Sequence, residues 1–343
     1  MQPAQHQTQL MRQPKTQLIA LDWGTSSLRA YRLGANGETL ELRSLPSGVM
    51  QLSTADGDDK AGFENAFDQA CGDWLRAAPD TPVIAAGMVG SRQGWQEVPY
   101  LEVPIAVDRI GAGLSTLRSR DGRLIHIVPG LIQNSMLPNV MRGEETQVIG
   151  VLNTLDAESD APGQDVLIGL PGTHSKWVQI HRSKTQSQVA HFDTFMTGEV
   201  YAALCGHTIL GRTMQASEND TDAAQRAFER GALVAQTRAG QAGVLSTIFS
   251  TRTLGLTGVL DGAGQSEYLS GLLIGHEIAA LQVMLRDQGR QASQVMLVGE
   301  AGLCERYVQV LRAYDFGKVD VVAQATQRGL WQLALTAGLL KHT

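Results

Sequence analysis

The sequence predicts an α/β protein in which one architecture occurs twice, as two similar domains flanking a cleft. Three observations carry this. The length of 343 residues is about that of two ordinary domains and can bury two cores without disulfides or a structural metal. Each half opens on an apolar strand, a Gly/Thr-rich turn and further strands, and then alternates helices with short, continuously apolar strands. A polar, Pro/Gly-containing break over 159–164 separates the halves. The expected domains are 16–158 and 165–343, with 1–15 as a disordered, glutamine-rich extension.

In the first half, 17–21 is an apolar strand and 27–33 alternates as a second strand. Asn36-Gly37 is a strong turn signal, and 39–43 makes the third strand. This antiparallel meander differs from the strand-helix-strand opening of a dinucleotide-binding fold. The spacing of Phe63, Phe67, Trp74 and Leu75 predicts a helix over 61–77. The runs 82–86 and 124–128 read as buried parallel strands, and 143–155 as the helix closing this half. The second half repeats the order. Strands are expected at 166–170, 175–180 and 189–192, and helices from Gly198, over 222–237 and over 269–286. A strand at 295–298, a helix over 303–314, a strand at 319–322 and a helix from Gln324 complete it. The repeat is one of architecture, not of sequence identity.

Composition narrows the function classes. Apolar residues make up 43% and charged residues 18%, the balance of a folded protein. The net charge of -6 comes with no dense basic tract, which argues against a nucleic-acid partner. No run approaches about 18 consecutive apolar residues, so no membrane span is expected. The N-terminal stretch lacks the apolar core of a secretion signal. Cys71, Cys205 and Cys304 are too scattered for a zinc set or a disulfide framework, which points to a reducing compartment. A cytoplasmic monomer or homodimer is expected.

Five loops carry residue types suited to chemistry. In the first, Asp22 ends a buried strand, where a carboxylate needs a partner such as a metal. Gly24 lets the chain turn, and Thr25, Ser26 and Ser27 offer amides and hydroxyls to phosphate oxygens. A capped hairpin turn is the plainer alternative. The second loop holds Gly172, Thr173, His174 and Lys176 at the corresponding place in the second half. Facing each other, the two turns would clamp a polyphosphate, with Lys176 either neutralising charge or lying on an exposed strand face. The third is Arg142-Gly143-Glu144-Glu145. Acidic residues favour a helix's first turn without any function, yet a carboxylate here could deprotonate a substrate hydroxyl for attack on a γ-phosphate.

The fourth loop, Gly87, Met88, Gly90, Ser91, Arg92 and Trp95, has more glycine than a turn requires. Close approach of a small polar ligand would explain it, with Arg92 facing a carboxylate and Trp95 walling the pocket. In the fifth, Gly299 and Gly302 lie in a strand-turn-helix passage able to admit an adenine ring or ribose. Neither a Walker A sequence nor a Gly-x-Gly-x-x-Gly after the first strand is present.

The blocks IALDWGTSSLRAYRL, AAGMVGSRQGW with PYLEVP, HIVPGL with NVMRGEETQVIG, GLPGTHSKWVQI, TFMTGEVYAAL, and SEYLSGLLIGHEI with VGEAGL together resemble the 2-dehydro-3-deoxygalactonokinases. These are sugar kinases of the sugar-kinase/actin/Hsp70 superfamily, built of two ribonuclease-H-like domains. The resemblance runs from about residue 17 to the C-terminus. It implies ATP- and Mg2+-dependent phosphorylation of 2-dehydro-3-deoxy-D-galactonate at the 6-hydroxyl, with sugar acid on the N-terminal and nucleotide on the C-terminal domain. It makes Asp22 the magnesium-linked acid, with Gly24, Thr25 and Ser26 on the first phosphate loop and Gly172, Thr173 and Lys176 on the second. Gly299 and Gly302 fall where the superfamily meets adenosine. The Gly-Glu-Glu stretch is also similar to that of exopolyphosphatases, which favours Glu145 as base, followed by Glu144. The substrate's carboxylate needs a cation, for which Arg92 and Arg142 are candidates. The second loop departs from many superfamily members in having no aspartate. The competing readings are a kinase for a related 2-oxo-3-deoxy sugar acid, an exopolyphosphatase-like hydrolase, and a nucleotide-binding regulator.

Overall fold

A computed structural model describes residues 15–52, 60–155, 165–183, 186–215, 222–290 and 294–340. The expected extension, apart from Lys15, and the break over 159–164 lie outside these. The chain forms two compact units.

The first unit comprises 1–100, 110–130 and 326–343. Leu18–Trp23, Leu28–Leu33 and Thr39–Leu45 form the expected antiparallel meander. Val83–Gly87 adds parallel to Leu18–Trp23, then Leu124–Ile127 parallel and Ser115–Arg118 antiparallel. The central strands are buried on both faces, which is why they read as unbroken apolar runs. Ala61–Phe67 continues through a π-turn, Asp68–Gly72, into Asp73–Ala77. That helical layer buries Phe63, Phe67, Trp74 and Leu75 against Ile19, Leu21 and Trp23.

The second unit comprises 101–109 and 131–325. Val166–Leu170, Ser175–Arg182 and Ser187–Phe195 repeat the meander. Gln294–Leu297 and Lys318–Val321 add parallel on the far side of Val166–Leu170. The order of meander and parallel strands is therefore that of the first unit, as the duplicated reading requires. Ile105–Ala106 extends the sheet beyond Ser187–Phe195. Leu131–Gln133, Asn139–Met141 and Leu101–Glu102 form a small separate sheet. Gly262–Asp287 spans 26 residues and is apolar enough to cross a membrane, but 61% of its most apolar stretch is buried. It is the core helix of this unit, carrying Tyr268, Leu272, Ile274, Ile278 and Leu281 inward.

The compact units correct the expected boundaries at 158 and 165. Ile105–Ala106 is hydrogen-bonded into the second unit's sheet, and the Glu144–Leu152 helix belongs to the second unit instead of closing the first. The last helix, Ala325–Thr336, returns almost entirely to the first unit. Long-range strand pairing and helix docking decide these memberships, and a local composition break reports neither.

Candidate active site

The acidic turn follows the short strand Asn139–Met141. Gly143 has a φ of 111°, a backbone conformation that disfavours any side chain. At this sharp corner the Glu144–Leu152 helix begins. Glu145 is fully buried. Its carboxyl folds back on the Gly143 amide, which donates to both oxygens at 2.7 and 2.9 Å. Burial first, and the charge of Glu144 second, push its carboxyl up to about 8. Glu144 is only half-buried and accepts from the Arg142 amide at 3.0 Å. Desolvation raises its carboxyl, while the Lys176 ammonium and His174 oppose the rise.

These environments separate two adjacent carboxyls: the enclosed one holds its proton and the accessible one has a cation beside it. Glu145, expected first as the base, is thus enclosed, whereas Glu144 keeps an accessible surface. Arg142 is half-buried, its charge near enough to Glu145 to favour the ionised form.

Lys176 corrects the alternative that it lies on an exposed strand face. It is neither exposed nor aimed at open solvent: it is 6% exposed, and Nζ donates to Val140 O at 3.0 Å and Thr194 Oγ1 at 2.8 Å. It ties the strand before the acidic turn to the second unit's sheet and stands as the cation beside Glu144.

The second loop borders a cavity of about 560 Å³. Gly172 and Thr173 form one wall, and Gly302 and Leu303 another. Gly299 lies outside its lining, packed near Pro171 and Cys304. Thr197 and Gly198 open the Thr197–His207 helix beside Thr173, and Glu199 N donates to Thr173 O at 3.0 Å. A Cβ at Gly198 would overlap the Gly172 carbonyl, so only glycine allows this approach. His174 pairs with Glu199 at the surface. Glu300 caps the Ala301–Ala313 helix by accepting from Gly302 N and Leu303 N, which holds its carboxyl below the usual range.

Sequence reasoning missed Thr197, Gly198, Glu267, Ser270, Arg306 and Tyr307 as lining residues. A signal existed for some: Glu267, Ser270 and Ile274 recur at helical spacing on one face of Gly262–Asp287. Arg306 is held by Glu267 at 2.6 and 3.0 Å, which only the fold reveals.

In the first unit, Asp22 is half-buried opposite Arg29, 3.5 Å away. Desolvation raises its carboxyl and Arg29 partly offsets this. The turn is braced by Val49 N donating to Gly24 O and Met50 N to Thr25 O. Thr25 and Ser26 remain exposed. The Gly87 loop mixes roles. Gly87 and Gly90 are buried, Met88 is half-buried and Arg92 is exposed. Ser91 Oγ is buried without a hydrogen-bond partner among the described residues. Trp95 is corrected from pocket wall to core. It is 2% exposed, stacked on Phe63 and edge-on to Trp23, leaving no ring face for a ligand.

Two α/β units with the same meander-plus-parallel order, a Gly/Thr turn after the first strand of each, and a nucleoside-sized cavity beside the second define a kinase of the sugar-kinase/actin/Hsp70 superfamily. More narrowly, the chain belongs to the 2-keto-3-deoxy-galactonokinase family, whose model matches residues 22–333. It is 37% identical over 318 residues to a 2-dehydro-3-deoxygalactonokinase of Escherichia coli (strain K12), covering 92% of this chain and 97% of that protein. It is 38% identical over 323 residues to a Rhizobium meliloti (strain 1021) protein named "Probable 2-dehydro-3-deoxygalactonokinase DgoK1", with the same coverage. A crystal structure of a Sinorhizobium meliloti protein, titled as a member of the same kinase class, superposes with a TM-score of 0.76 at 36% identity, covering 92% of this chain and 98% of that one. At the level of the family, the chain is a 2-dehydro-3-deoxy sugar-acid kinase, and the family implies dependence on ATP and magnesium.

Proposed function

We propose that the chain transfers the γ-phosphoryl group of ATP to the 6-hydroxyl of 2-dehydro-3-deoxy-D-galactonate, giving the 6-phosphate and ADP, in the cytoplasmic breakdown of D-galactonate. The activity for which the Escherichia coli relative is named supports the substrate. The observation that carries the nucleotide half is the convergence of the Gly172-Thr173 loop and the Gly302 turn on one cavity.

In this reading the cavity takes the nucleoside, and Gly172 and Thr173 donate to phosphate oxygens. Gly24, Thr25 and Ser26 play the corresponding part on the first unit. The sugar acid meets the Gly87–Ser91 loop of the first unit, with Arg92 as the cation for its carboxylate. Glu144 is the base. Its carboxylate takes the proton of the 6-hydroxyl as that oxygen bonds to the γ-phosphorus, while the bond from phosphorus to the β–γ bridging oxygen breaks and ADP leaves. Glu145 keeps its proton, so it adds no second negative charge beside the base. Lys176 holds the turn in place and stabilises the ionised form of Glu144.

Asp22 is the residue that would hold magnesium. Its half-buried carboxylate, whose charged form burial disfavours, gains from a cation. The described residues contain no cluster of three or more metal-ligating side chains, and a magnesium ion that keeps its waters and phosphate oxygens needs only one or two carboxylates. When bound, it supplies positive charge against the phosphate oxygens.

The deciding experiment is a coupled ADP-release assay over a panel of 2-oxo-3-deoxy sugar acids, followed by locating the phosphate on the product. Release with the galactonate-derived acid and phosphate on its 6-oxygen is expected. Preference for a common aldose, or release without any acceptor, would overturn the proposal.

A further inference from the structure

One carboxylate of the second unit lies in none of the roles above. Glu277, on the Gly262–Asp287 helix, is 3% exposed. Its Oε1 accepts from Trp177 Nε1 at 2.7 Å, and its Oε2 accepts from Tyr307 OH at 2.8 Å and from Thr197 Oγ1. Because the tyrosine proton points to Glu277, Ser175 Oγ donates in turn to the tyrosine oxygen at 3.0 Å. An apolar residue would fill this place at lower cost, since a buried carboxylate loses its hydration and must recover it from donors. Hydrogen bonds offset part of that loss, although burial still raises the carboxyl, and the donors come from three different elements.

Two of those elements are walls of the cavity, and the third is the strand that follows its Gly172-Thr173 edge. Thr197 and Tyr307 line it directly. Ser175 and Trp177 begin the strand that emerges from the Gly172-Thr173 turn. Thr197 stands beside Gly198, which packs on the Gly172 carbonyl, and Tyr307 lies on the same helix as Gly302. One side chain therefore joins the phosphate-loop strand, the first turn of the Thr197–His207 helix and the Gly302 helix. A satisfied buried network of this kind selects one arrangement of the groups it links.

We propose that Glu277 is a positioning residue for the nucleotide: it holds the phosphate loop and two cavity walls in the arrangement that ATP requires. The inference rests on the nucleotide reading of the cavity.

Glu277→Gln keeps shape but replaces one acceptor oxygen with a donor. The indole N–H cannot turn, so the amide oxygen stays on Trp177 and the amide NH2 meets two hydroxyls that were donating. Losing a hydrogen bond to a charged group is expected to weaken ATP binding about tenfold. The expected pattern is a KM and a directly measured dissociation constant for ATP that rise together, with the KM for the sugar acid within about twofold of wild type. A merely structural role would lower thermal stability and the active fraction while leaving ATP affinity unchanged.

Thr197→Ala and Tyr307→Phe should each weaken ATP about fivefold, and Thr197→Ser should restore it. In the Glu277→Gln background the Thr197→Ala effect should shrink, because the pair acts as a unit. ATP affinity within twofold of wild type in folded Glu277→Gln overturns the proposal. So does full additivity of Glu277→Gln with Thr197→Ala. Should Glu277→Gln fail to fold, unchanged ATP affinity in both Thr197→Ala and Tyr307→Phe overturns it. A wild-type chain that turns over but binds no ATP overturns the nucleotide reading itself, and this inference with it.

Discussion

Replacing Glu145 with glutamine should make the protein more stable than wild type, and increasingly so as pH rises. Glu145 is fully enclosed, both its oxygens accept from the Gly143 amide, and Glu144 lies next to it in the same turn. In the unfolded chain its proton leaves near the ordinary 4.5, whereas the folded protein holds it to about 8. Between these values the folded state binds more protons than the unfolded one, so stability falls with pH. The slope is about 1.4 kcal/mol per pH unit, and across the whole window the loss is on the order of 5 kcal/mol. Glutamine at this position does not titrate, and its amide oxygen still accepts from Gly143. The assay is urea unfolding of both proteins at intervals from pH 5 to pH 8.5, taking the difference at each pH so that other titrations cancel. The two should differ little at pH 5 and diverge steadily up to pH 8. A difference that stays constant over this range would refute the protonated, buried state of Glu145 and reopen its role as base.

Three further outcomes follow from the site. Glu144→Gln should lower kcat by about 10²- to 10⁴-fold while leaving ATP affinity intact; near-normal turnover would remove Glu144 as base. Lys176→Met takes away the cation that opposes the rise of the Glu144 carboxyl. Since the base must be ionised, the acid limb of the pH–kcat profile should move to higher pH, and an unmoved limb would show that the two charges are not coupled. Trp95→Ala should cost about 3–5 kcal/mol of stability through the lost aromatic packing with Trp23, Phe63 and Phe67. It should leave the sugar-acid KM of the surviving folded protein near that of wild type, whereas a selective rise in that KM would return Trp95 to the pocket.

The cavity shows how far local patterns reach. Gly172, Thr173 and Gly302 were legible because strand-turn-helix passages with glycine mark places where a ligand approaches backbone. Glu267, Ser270 and Ile274 carried a weaker signal, their spacing along one helical face. Thr197 and Arg306 had none of their own, since each lines the cavity only because distant elements pack together. Glu277 was invisible for the same reason: its three donors lie 30, 80 and 100 positions away.

The sequence by itself determined the duplicated meander, the parallel strands that follow it and the loops proposed to bear the chemistry. Each depends on a local property: burial on one or both faces sets the hydrophobic period, and turns demand particular residues. Tertiary structure alone decided which neighbouring side chain is enclosed. Glu144 and Glu145 are chemically identical and adjacent, and the φ of Gly143 together with the packing around it leaves one accessible and the other protonated. Lys176 became a buried strut and Trp95 a core residue by the same logic. It also drew Ile105–Ala106 into the second unit and the last helix to the first. Burial and electrostatic partners are sums over the whole packed neighbourhood, and a linear pattern contains that neighbourhood only after the chain has folded.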